Sequence, residues 1–329
     1  MLPVLHRQTW REEYLKYLIG IDGGGTRSRL LAVTLEGRVI GTAKGKSTSV
    51  ESNPISVVRQ NLMQLLQSFT LEHNLSLADC AALCFGTAGM DTQASKRKLE
   101  QMLILMDLQC PSSVVNDAEI ALHANTHGGP GIILISGTGS ICYGSNKAGD
   151  VFRTGGFGYI LGDEGSSYWV ARKGISAALH ALDTSGPPTR MLNDFCKALN
   201  MQEIEEIIDF VYLKNKSDLG KLSYLVTNAH QSGDAQASAI MEEAVEALFL
   251  NVTTIVEKLN MREDNFPLLL GGGFLLANEW LLSRITKRVH EYLPVISVKP
   301  MSVIAEWGAI YHAAALINLD INQINPDNC

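Results

Sequence analysis

The sequence predicts an α/β protein of two similar domains with a cleft between them. Its 329 residues exceed the usual size of one hydrophobic core, which favours two domains. Three glycine-rich turns, at 23–25, 137–139 and 271–273, each follow a short apolar run. The strand pattern around the first turn recurs around the second at a domain's distance, which indicates a duplicated unit rather than a short repeat.

Apolar runs separated by turn residues define the elements of the first half. Consecutive strands joined by short turns predict an antiparallel meander at the start of a sheet. Asn53 and Pro54 predict the start of a helix, because Asn caps helices and Pro favours their first position. In chain order, the predicted elements are strands at 18–22, 28–34 and 39–43, a helix at 54–69, a strand at 81–85, a helix at 93–106 and a strand at 113–115.

The second half repeats the meander and then becomes mostly helical. Helix breaks are expected at 186–188, near Asn200 and at 233–234, and the long helix at 235–258 is expected to be a central support. In chain order, the predicted elements are strands at 131–135, 141–145 and 151–154, a helical region at 165–258, a strand at 267–270, a helix at 279–292, a strand at 295–298 and a helix at 303–316.

Composition and charge argue against several classes of partner. Apolar residues make up 46% of the chain, as in folded globular proteins, and the formal charge of −7 without a basic stripe disfavours nucleic acid. No apolar stretch approaches the roughly 20 residues of a membrane span. Residues 1–17 lack the apolar block of a secretory signal, and the six cysteines lack a C-x-x-C pair. A cytoplasmic protein with reduced thiols and a short N-terminal extension is expected.

Several common catalytic motifs are missing from the sequence. It contains no H-E-x-x-H or G-x-S-x-G, and its eight histidines are scattered, so hydrolytic zinc and serine chemistry are not predicted. No G-x-G-x-x-G follows the first strand, which removes the main support for dinucleotide binding.

The glycine turns are candidate phosphate-binding sites. Backbone N–H groups at the end of a strand can face an anion, and Thr and Ser hydroxyls add donors. Asp22, at the end of the first strand, is a candidate Mg²⁺ ligand, and the alternative is a plain Asp-Gly hairpin turn. The phosphate-binding candidates are Gly23, Gly24, Gly25 and Thr26 in the first turn, Gly137, Thr138, Gly139 and Ser140 in the second, and Gly271, Gly272 and Gly273 in the third.

Two further aspartates stand where a substrate could bind. Asp117 follows the strand at 113–115 and could accept the proton of a hydroxyl that attacks the γ-phosphate, although Asp serves equally well as a helix N-cap. Asp163 lies in a glycine-rich loop before a helix, where it could bind sugar hydroxyls. Helix capping is the alternative there, and it is the favoured interpretation for the neighbouring Glu164.

Four sequence segments occur in a characteristic order. They are GIDGGGT at 20–26, NDA at 116–118, SGTGS at 136–140, and GGFG with LGDEGSSYW between 155 and 169. Together they resemble the BadF/BadG/BcrA/BcrD ATPase family, which includes N-acetylglucosamine kinases and is part of the actin-like ATPase and sugar kinase superfamily. The resemblance extends from about residue 18 to residue 316.

The resemblance implies two ribonuclease H-like (actin-like ATPase) domains with mixed five-stranded sheets. The N-terminal domain would span 18–117. The C-terminal domain would span 118–311, with a helical insertion at about 165–260. A last helix within 312–329 would pack back on the first domain.

The resemblance also implies an ATP-dependent kinase that phosphorylates an amino sugar, most of all N-acetylglucosamine at its 6-hydroxyl. Asp22 would lie on the Mg²⁺ side, Asp117 would be the catalytic base, and the third turn would be the adenosine motif. A homodimer without nucleic acid or membrane partners is expected. The implied sugar-binding residues are Asn53, Thr87, Asp117, Gly156 and Asp163.

Two departures and two alternative functions accompany this resemblance. Phe157 stands where relatives often have Trp, and Ile141 stands where the animal enzymes have Asn, a difference that bears on recognition of the acetamido group. One alternative is an ATPase that activates a dehydratase, which needs paired surface cysteines for an iron–sulfur cluster shared between subunits. The other is a non-catalytic sugar-sensing protein, which would normally carry a basic DNA-reading module.

Overall fold

The computed structural model describes residues 16–50, 53–90 and 93–324, and these form two compact units. Unit 1 comprises the described residues up to Gly128 together with those from Val303 onward, and unit 2 spans Gly129–Ser302. Each unit contains a five-stranded sheet of mixed strand direction with helices packed on it. The predicted α/β fold class with two mixed five-stranded sheets is therefore confirmed.

The predicted elements occur in the predicted order, with ends that differ by a few residues, and the short helices at 158–161 and 273–277 are additional. The strands are β1 (Tyr17–Gly23), β2 (Arg27–Thr34), β3 (Val39–Lys46), β4 (Cys80–Thr87), β5 (Ser112–Asn116), β6 (Gly131–Ser136), β7 (Ser140–Ser145), β8 (Val151–Gly155), β9 (Pro267–Gly271) and β10 (Ser297–Pro300). The helices are α1 (Ile55–Glu72), α2 (Gln93–Ile104), α3 (Asp117–Thr126), α4 (Gly158–Leu161), α5 (Ser167–Leu182), α6 (Met191–Leu199), α7 (Ile207–Leu213), α8 (Lys216–Lys221), α9 (Ser223–Gln231), α10 (Ala235–Lys258), α11 (Gly273–Ala277), α12 (Glu279–Tyr292) and α13 (Ala305–Leu316).

Unit 1 is built around β1, the central strand of a sheet with the order β3-β2-β1-β4-β5. β1 pairs antiparallel with β2 and parallel with β4, and β5 continues the sheet in parallel. Its apolar side chains alternate between two cores, because Ile19 and Ile21 face α1 and α2 whereas Leu18 faces α3 and α13. The carboxyl ends of β1, β4 and β5 therefore share one edge of the sheet.

Helix α13 approaches β1 and α3 closely because glycines stand at both contacts. A Cβ atom at Gly20 would lie 2.5 Å from the carbonyl oxygen of Glu306, and one at Gly308 would lie 1.8 Å from the carbonyl oxygen of Ile120. Side chains cannot be accommodated at such distances, so glycine is required at both positions. The chain thus returns from unit 2 to complete the core of unit 1.

The packing of α3 and α13 on the unit 1 sheet places both helices in unit 1. The limits of the two units therefore differ from the expected division into 18–117 and 118–311. Helix α3 and the whole of α13 pack in one core with β1 and β4, so the units divide after Gly128 and after Ser302. The last helix, α13, lies at the predicted position of 303–316 and packs on the unit 1 sheet. Tyr17, placed in the extension by the sequence analysis, is a fully buried residue of β1, and residues 1–15 lie outside the described residues.

Unit 2 has the sheet order β10-β9-β6-β7-β8, in which β6, β9 and β10 are parallel and β7 and β8 are antiparallel to their neighbours. Helix α10 packs against β7, where Gly144 leaves room for the Ile255 side chain. Helices α5, α6, α9 and α12 share the same core, so α10 is the expected central support. Among the described helices, none combines the length and hydropathy that a membrane-spanning segment needs.

Candidate active site

Three residues stand in adjacent register at the carboxyl edge of the unit 1 sheet. Gly23 at the end of β1 is paired with Thr87 at the end of β4, and Thr87 is paired with Asn116 at the end of β5. Neighbouring strands lie about 4.8 Å apart. Gly23 and Asn116, at the two ends of this row, are therefore two strand spacings apart, roughly 10 Å, and Asp22 and Asp117 adjoin them in sequence.

Asp117 is the first residue of α3, and Asn116 is its N-cap. The Asn116 side chain accepts a hydrogen bond from the Ala118 N–H at 2.9 Å. The Oδ1 atom of Asp117 lies at the same distance from that N–H. Asn116 therefore provides the N-cap of α3, and Asp117 shares the same N–H donor. The half-buried carboxylate of Asp117 remains at the sheet edge, where the sequence analysis expects the base.

The Asp22 carboxylate is part of a charged chain within unit 1. Arg29 donates from Nη2 to Asp22 Oδ2 at 3.1 Å and contacts Glu306 Oε1 through Nε at 3.2 Å. Glu306 is only 3% exposed, and its Oε2 atom has no hydrogen-bond partner among the described residues. Burial raises the pKa of both carboxyl groups above their usual values, and Arg29 opposes that rise.

The surroundings of Asp22 fit a magnesium ion that is bound partly through phosphate and water. Its side chain is 16% exposed, and no described residue forms a hydrogen bond with its Oδ1 atom. Mg²⁺ usually takes one or two carboxylates together with substrate phosphates. The Asp22 carboxylate, beside an exposed glycine turn, is a ligand of that kind.

The first glycine turn offers backbone donors at its tip. The Gly24 N–H is used within the turn, where it donates to the Arg27 carbonyl at 3.1 Å. Gly25 and Thr26 are exposed, and within the described part of the chain their N–H groups donate no hydrogen bond. Gly23 is required for packing, because a Cβ atom there would lie 2.6 Å from the Phe85 ring. The turn is therefore packed against Phe85 at Gly23, and its exposed end carries the unused N–H groups of Gly25 and Thr26.

Asn53 is connected to this turn through Ser47. The Asn53 amide donates to Ser47 Oγ at 2.9 Å, and Ser47 Oγ donates to the Gly24 carbonyl at 3.1 Å. Asn61 holds the Ser47 backbone from the other side, at 2.7 Å. A predicted sugar-binding residue and a predicted phosphate-binding turn therefore belong to one hydrogen-bond network.

Thr87 is fully buried in this structure, although the sequence analysis expects it to contact the sugar. Its hydroxyl lies 3.3 Å from the Gly23 carbonyl and 3.2 Å from the Thr48 carbonyl. The side chain therefore connects β4 to the first turn, and no part of Thr87 is exposed for direct substrate contact.

The second glycine turn of unit 2 is held by the loop that follows β8. Ser140 Oγ donates to the Glu164 carbonyl at 2.7 Å, and the Ser167 N–H donates to the Gly137 carbonyl at 2.9 Å. The Gly137 N–H is used inside the turn, but among the described residues the N–H groups of Thr138 and Gly139 donate no hydrogen bond. These two donors remain for an anion.

Asp163 lies directly behind this second turn. It is 3% exposed, accepts a hydrogen bond from the Ser140 N–H at 3.2 Å and pairs with Lys216 Nζ at 2.8 Å. Its φ of 63° is unusual for a residue other than glycine and indicates a conformation fixed by these contacts. A Cβ atom at Gly139 would lie 2.9 Å from Lys216 Nζ, so a lysine cation also stands beside the turn.

If the second turn binds the phosphates of ATP, as the family resemblance implies, the substitution Asp163→Asn should raise the KM for ATP more than the KM for sugar. Asn can keep the bond from Ser140 but loses the ion pair with Lys216, which should lower the free energy of unfolding by about 1–3 kcal/mol. Steady-state kinetics with each substrate varied, together with thermal unfolding, measure both effects. The matched control is Asp264→Asn, which removes the exposed ion pair with Lys147. A rise confined to the sugar KM would instead support the sugar contact expected from the sequence.

The second and third glycine turns meet at one cavity of unit 2. Its volume is about 660 Å³, within the range of small-molecule sites. Gly272, with a φ of 92°, lies against the second turn, because a Cβ atom there would stand 2.3 Å from the Ser136 carbonyl oxygen. The cavity lining includes Gly137, Thr138, Gly273, Tyr224, Asn228 and Asn278.

Gly156 and Phe157 form part of an exposed, mainly apolar surface of unit 2. Gly156 has a φ of 67° and packs on Ile141, since a Cβ atom there would lie 3.0 Å from that side chain. The Phe157 ring is 58% exposed and lies 5.1 Å from the Arg153 guanidinium carbon. The two departures from the family pattern, Ile141 and Phe157, therefore stand on either side of Gly156.

Several residues at these sites were missed by sequence reasoning. Arg29 and Glu306 are far apart in sequence and meet only because α13 packs on β1. Lys216 reaches the second turn from α8, where no phosphate-binding motif marks it. The cavity residues of α9 and α12 likewise carry no signature in the sequence.

Comparison with known proteins places the chain in a family. The model of the BadF/BadG/BcrA/BcrD ATPase family matches residues 19–313. The chain belongs to that family. An N-acetylmuramic acid/N-acetylglucosamine kinase of Clostridium acetobutylicum is 35% identical over 298 residues, which cover 90% of this chain and 97% of the relative.

Two further matches agree in fold and length. An N-acetyl-D-glucosamine kinase of Dictyostelium discoideum is 29% identical over 294 residues, covering 84% of this chain and 91% of that protein. The crystal structure of a candidate N-acetylglucosamine kinase from Chromobacterium violaceum superposes with a TM-score of 0.69 at 23% identity. It covers 90% of this chain and 98% of its own, which supports the fold.

Proposed function

We propose that this protein transfers the γ-phosphate of ATP to the 6-hydroxyl of an amino sugar, with N-acetylglucosamine and N-acetylmuramic acid as the first candidates. That the chain is a sugar kinase, and so a phosphotransferase, follows from its family and from relatives that match nearly the whole chain. The observation that carries the nucleotide part of the proposal is the cavity at which the second and third glycine turns meet.

Unit 2 has the features of a nucleotide site. The cavity has room for a purine nucleoside, and its wall combines an aromatic ring with side-chain amides and hydroxyls. The N–H groups of Thr138 and Gly139 and the Lys216 ammonium stand at the second turn, where they would bind the phosphates. We therefore assign adenosine to the side of Gly273 and phosphate to the side of Gly137.

Unit 1 would supply the groups that act on the reacting oxygen. Asp117 would orient the sugar hydroxyl and accept its proton as the oxygen attacks phosphorus, the role of the carboxylate base in other phosphotransferases. Asn53 and Gly156 are the further proposed sugar-binding residues, whereas the buried Thr87 and Asp163 would act by holding the first and second glycine turns in place. Asp22 would hold Mg²⁺, which when bound neutralises phosphate charge.

The choice of an N-acetylated amino sugar rests on the named relatives, one of which acts on both N-acetylmuramic acid and N-acetylglucosamine. N-acetylmuramic acid differs from N-acetylglucosamine by a lactyl ether at the 3-position. A comparison of the two sugars therefore shows whether the site has room for a substituent there.

The proposal is tested by coupled measurement of ADP release with Mg²⁺-ATP and a panel of sugars. The panel contains N-acetylglucosamine, N-acetylmuramic acid, N-acetylmannosamine, glucosamine and glucose. An N-acetylated amino sugar should give a turnover of about 1–100 s⁻¹, the range of kinases. ADP release that no sugar stimulates would reject the kinase assignment.

The dehydratase-activator alternative has no structural support in the described residues. A cluster shared between subunits needs accessible thiols. Of the described cysteines, Cys80, Cys84 and Cys142 are buried, and Cys110 and Cys196 are half-buried.

A homodimer in the cytoplasm remains our proposal, and light scattering at two protein concentrations tests the dimer.

A further inference from the structure

Three side chains with metal-ligating atoms meet between α3 and α13 of unit 1. Glu119 and His123 are one helical turn apart on α3, and His312 comes from α13. One ligating atom from each lies within 4.8 Å of the other two. The sequence shows only scattered histidines, so this cluster is a product of the fold and has no role in the proposed phosphate transfer.

The distances in this cluster suit a small divalent ion. Zinc binds imidazole nitrogen and carboxylate oxygen at about 2.0–2.2 Å, so two ligands of a tetrahedral site lie about 3.4 Å apart. Glu119 Oε1 and His312 Nε2 are 3.4 Å apart. The His123 and His312 rings are stacked with centroids 4.6 Å apart, and a ligating atom of His123 lies within 4.8 Å of those of Glu119 and His312.

The hydrogen bonding of His312 leaves a ligating atom unused. Its Nε2 atom is buried and has no hydrogen-bond partner among the described residues. This nitrogen faces Glu119 Oε1, 3.4 Å away, so a metal ion between the two atoms would satisfy it.

We propose that Glu119, His123 and His312 bind a divalent transition metal ion, with Zn²⁺ as the preferred ion and water as the fourth ligand. Two imidazoles and one carboxylate form a donor set that Zn²⁺ binds more tightly than Mg²⁺, which prefers oxygen ligands in octahedral geometry. The site is separate from Asp22.

Such an ion would fasten α13 to α3. These helices already approach closely where Gly308 contacts the backbone at Ile120. The metal would cross-link them about one turn further along α13, at His312. Helix α3 begins with Asp117, and the first turn of α13 contains Glu306. The ion would therefore stabilise the two helices that carry the Asp117 and Glu306 carboxylates. Its expected effect is therefore a more stable unit 1, with no direct part in chemistry.

The test uses the full chain without a histidine tag, stripped of metal by a chelator and kept in excess Mg²⁺. Co²⁺ serves as a visible probe, because its absorption reports nitrogen coordination, and Zn²⁺ is then titrated against it. The variants are Glu119→Gln and His312→Asn, and the matched control is His127→Asn. His127 is on the same side of α3, stacks on Tyr311 and has a φ of 49°, a conformation that Asn tolerates.

The parent chain and His127→Asn should bind one Co²⁺ that Zn²⁺ displaces, and Zn²⁺ should raise the melting temperature of both. Glu119→Gln and His312→Asn should bind Zn²⁺ at least about tenfold more weakly, with unchanged melting in chelator for Glu119→Gln. Absence of Co²⁺ absorption in the parent chain, or equal loss of binding in His127→Asn, would overturn the proposal. So would unaltered Zn²⁺ affinity in Glu119→Gln and His312→Asn.

Discussion

Replacement of Asp117 by Asn is expected to lower kcat for sugar phosphorylation by about 10²–10⁴-fold, the usual contribution of a general base. Asn has nearly the same shape and keeps an oxygen that accepts the Ala118 N–H, but it cannot take the hydroxyl proton. Because Asn116 already caps α3, the melting temperature should change little. Nucleotide affinity should also be preserved, since the proposed nucleotide cavity lies in unit 2.

Single-turnover phosphorylation, equilibrium binding of an ATP analogue and thermal unfolding together test this result. Asp79→Asn is the control, because it removes a carboxylate of unit 1 whose described partner is Lys16. A kcat within a few-fold of the parent value would exclude Asp117 as the base. A lower kcat together with a clearly lower melting temperature would show instead that Asp117 supports the structure of α3.

Adjacent glycines of the third turn should respond very differently to alanine. At Gly272, a φ of 92° and a Cβ atom 2.3 Å from the Ser136 carbonyl oxygen predict a loss of about 2–4 kcal/mol in the free energy of unfolding. At Gly273, nothing lies within 4 Å of an added Cβ atom, so stability should change by less than about 0.5 kcal/mol. The added methyl group of Gly273→Ala would instead enter the proposed adenosine site.

ATP-analogue binding by calorimetry, with denaturant unfolding of the same samples, separates these effects. We expect Gly273→Ala to weaken ATP binding by at least about tenfold at unchanged stability, since close backbone approach to the ligand needs glycine. If Gly273→Ala binds the nucleotide as the parent does, the third turn is not the adenosine motif. If Gly272→Ala is as stable as the parent, the packing of the second and third turns described here is wrong.

The sequence predicted the local structure well because its signals are local. Apolar runs of strand length between glycine turns marked β1, β6 and β9, and the long apolar-patterned helix α10 was found with its limits. The limits of the units were not predicted. These limits depend on the packing of α3 and α13 on the unit 1 sheet, which Gly20 in β1 and Gly308 in α13 permit. A single glycine within a strand or a helix does not reveal such a contact in the sequence.

The candidate site could be predicted only where chemistry is concentrated in short segments. Glycine turns with a neighbouring aspartate are such segments, and Asp22, Gly23 and Asp117 lie at one edge of the unit 1 sheet. Arg29 and Lys216 are single basic residues whose partners, Glu306 and Asp163, are distant in sequence. Their roles therefore come only from the fold.

Phosphorus and carbon NMR of the product shows whether the protein uses ATP to phosphorylate an amino sugar at its 6-hydroxyl. The protein would be incubated with Mg²⁺-ATP and N-acetylglucosamine until ADP accumulates. We expect a phosphate monoester coupled to carbon 6 of the sugar, formed in equal amount to ADP. Inorganic phosphate with unchanged sugar, or a phosphate on another carbon, would rule out phosphorylation at the 6-hydroxyl.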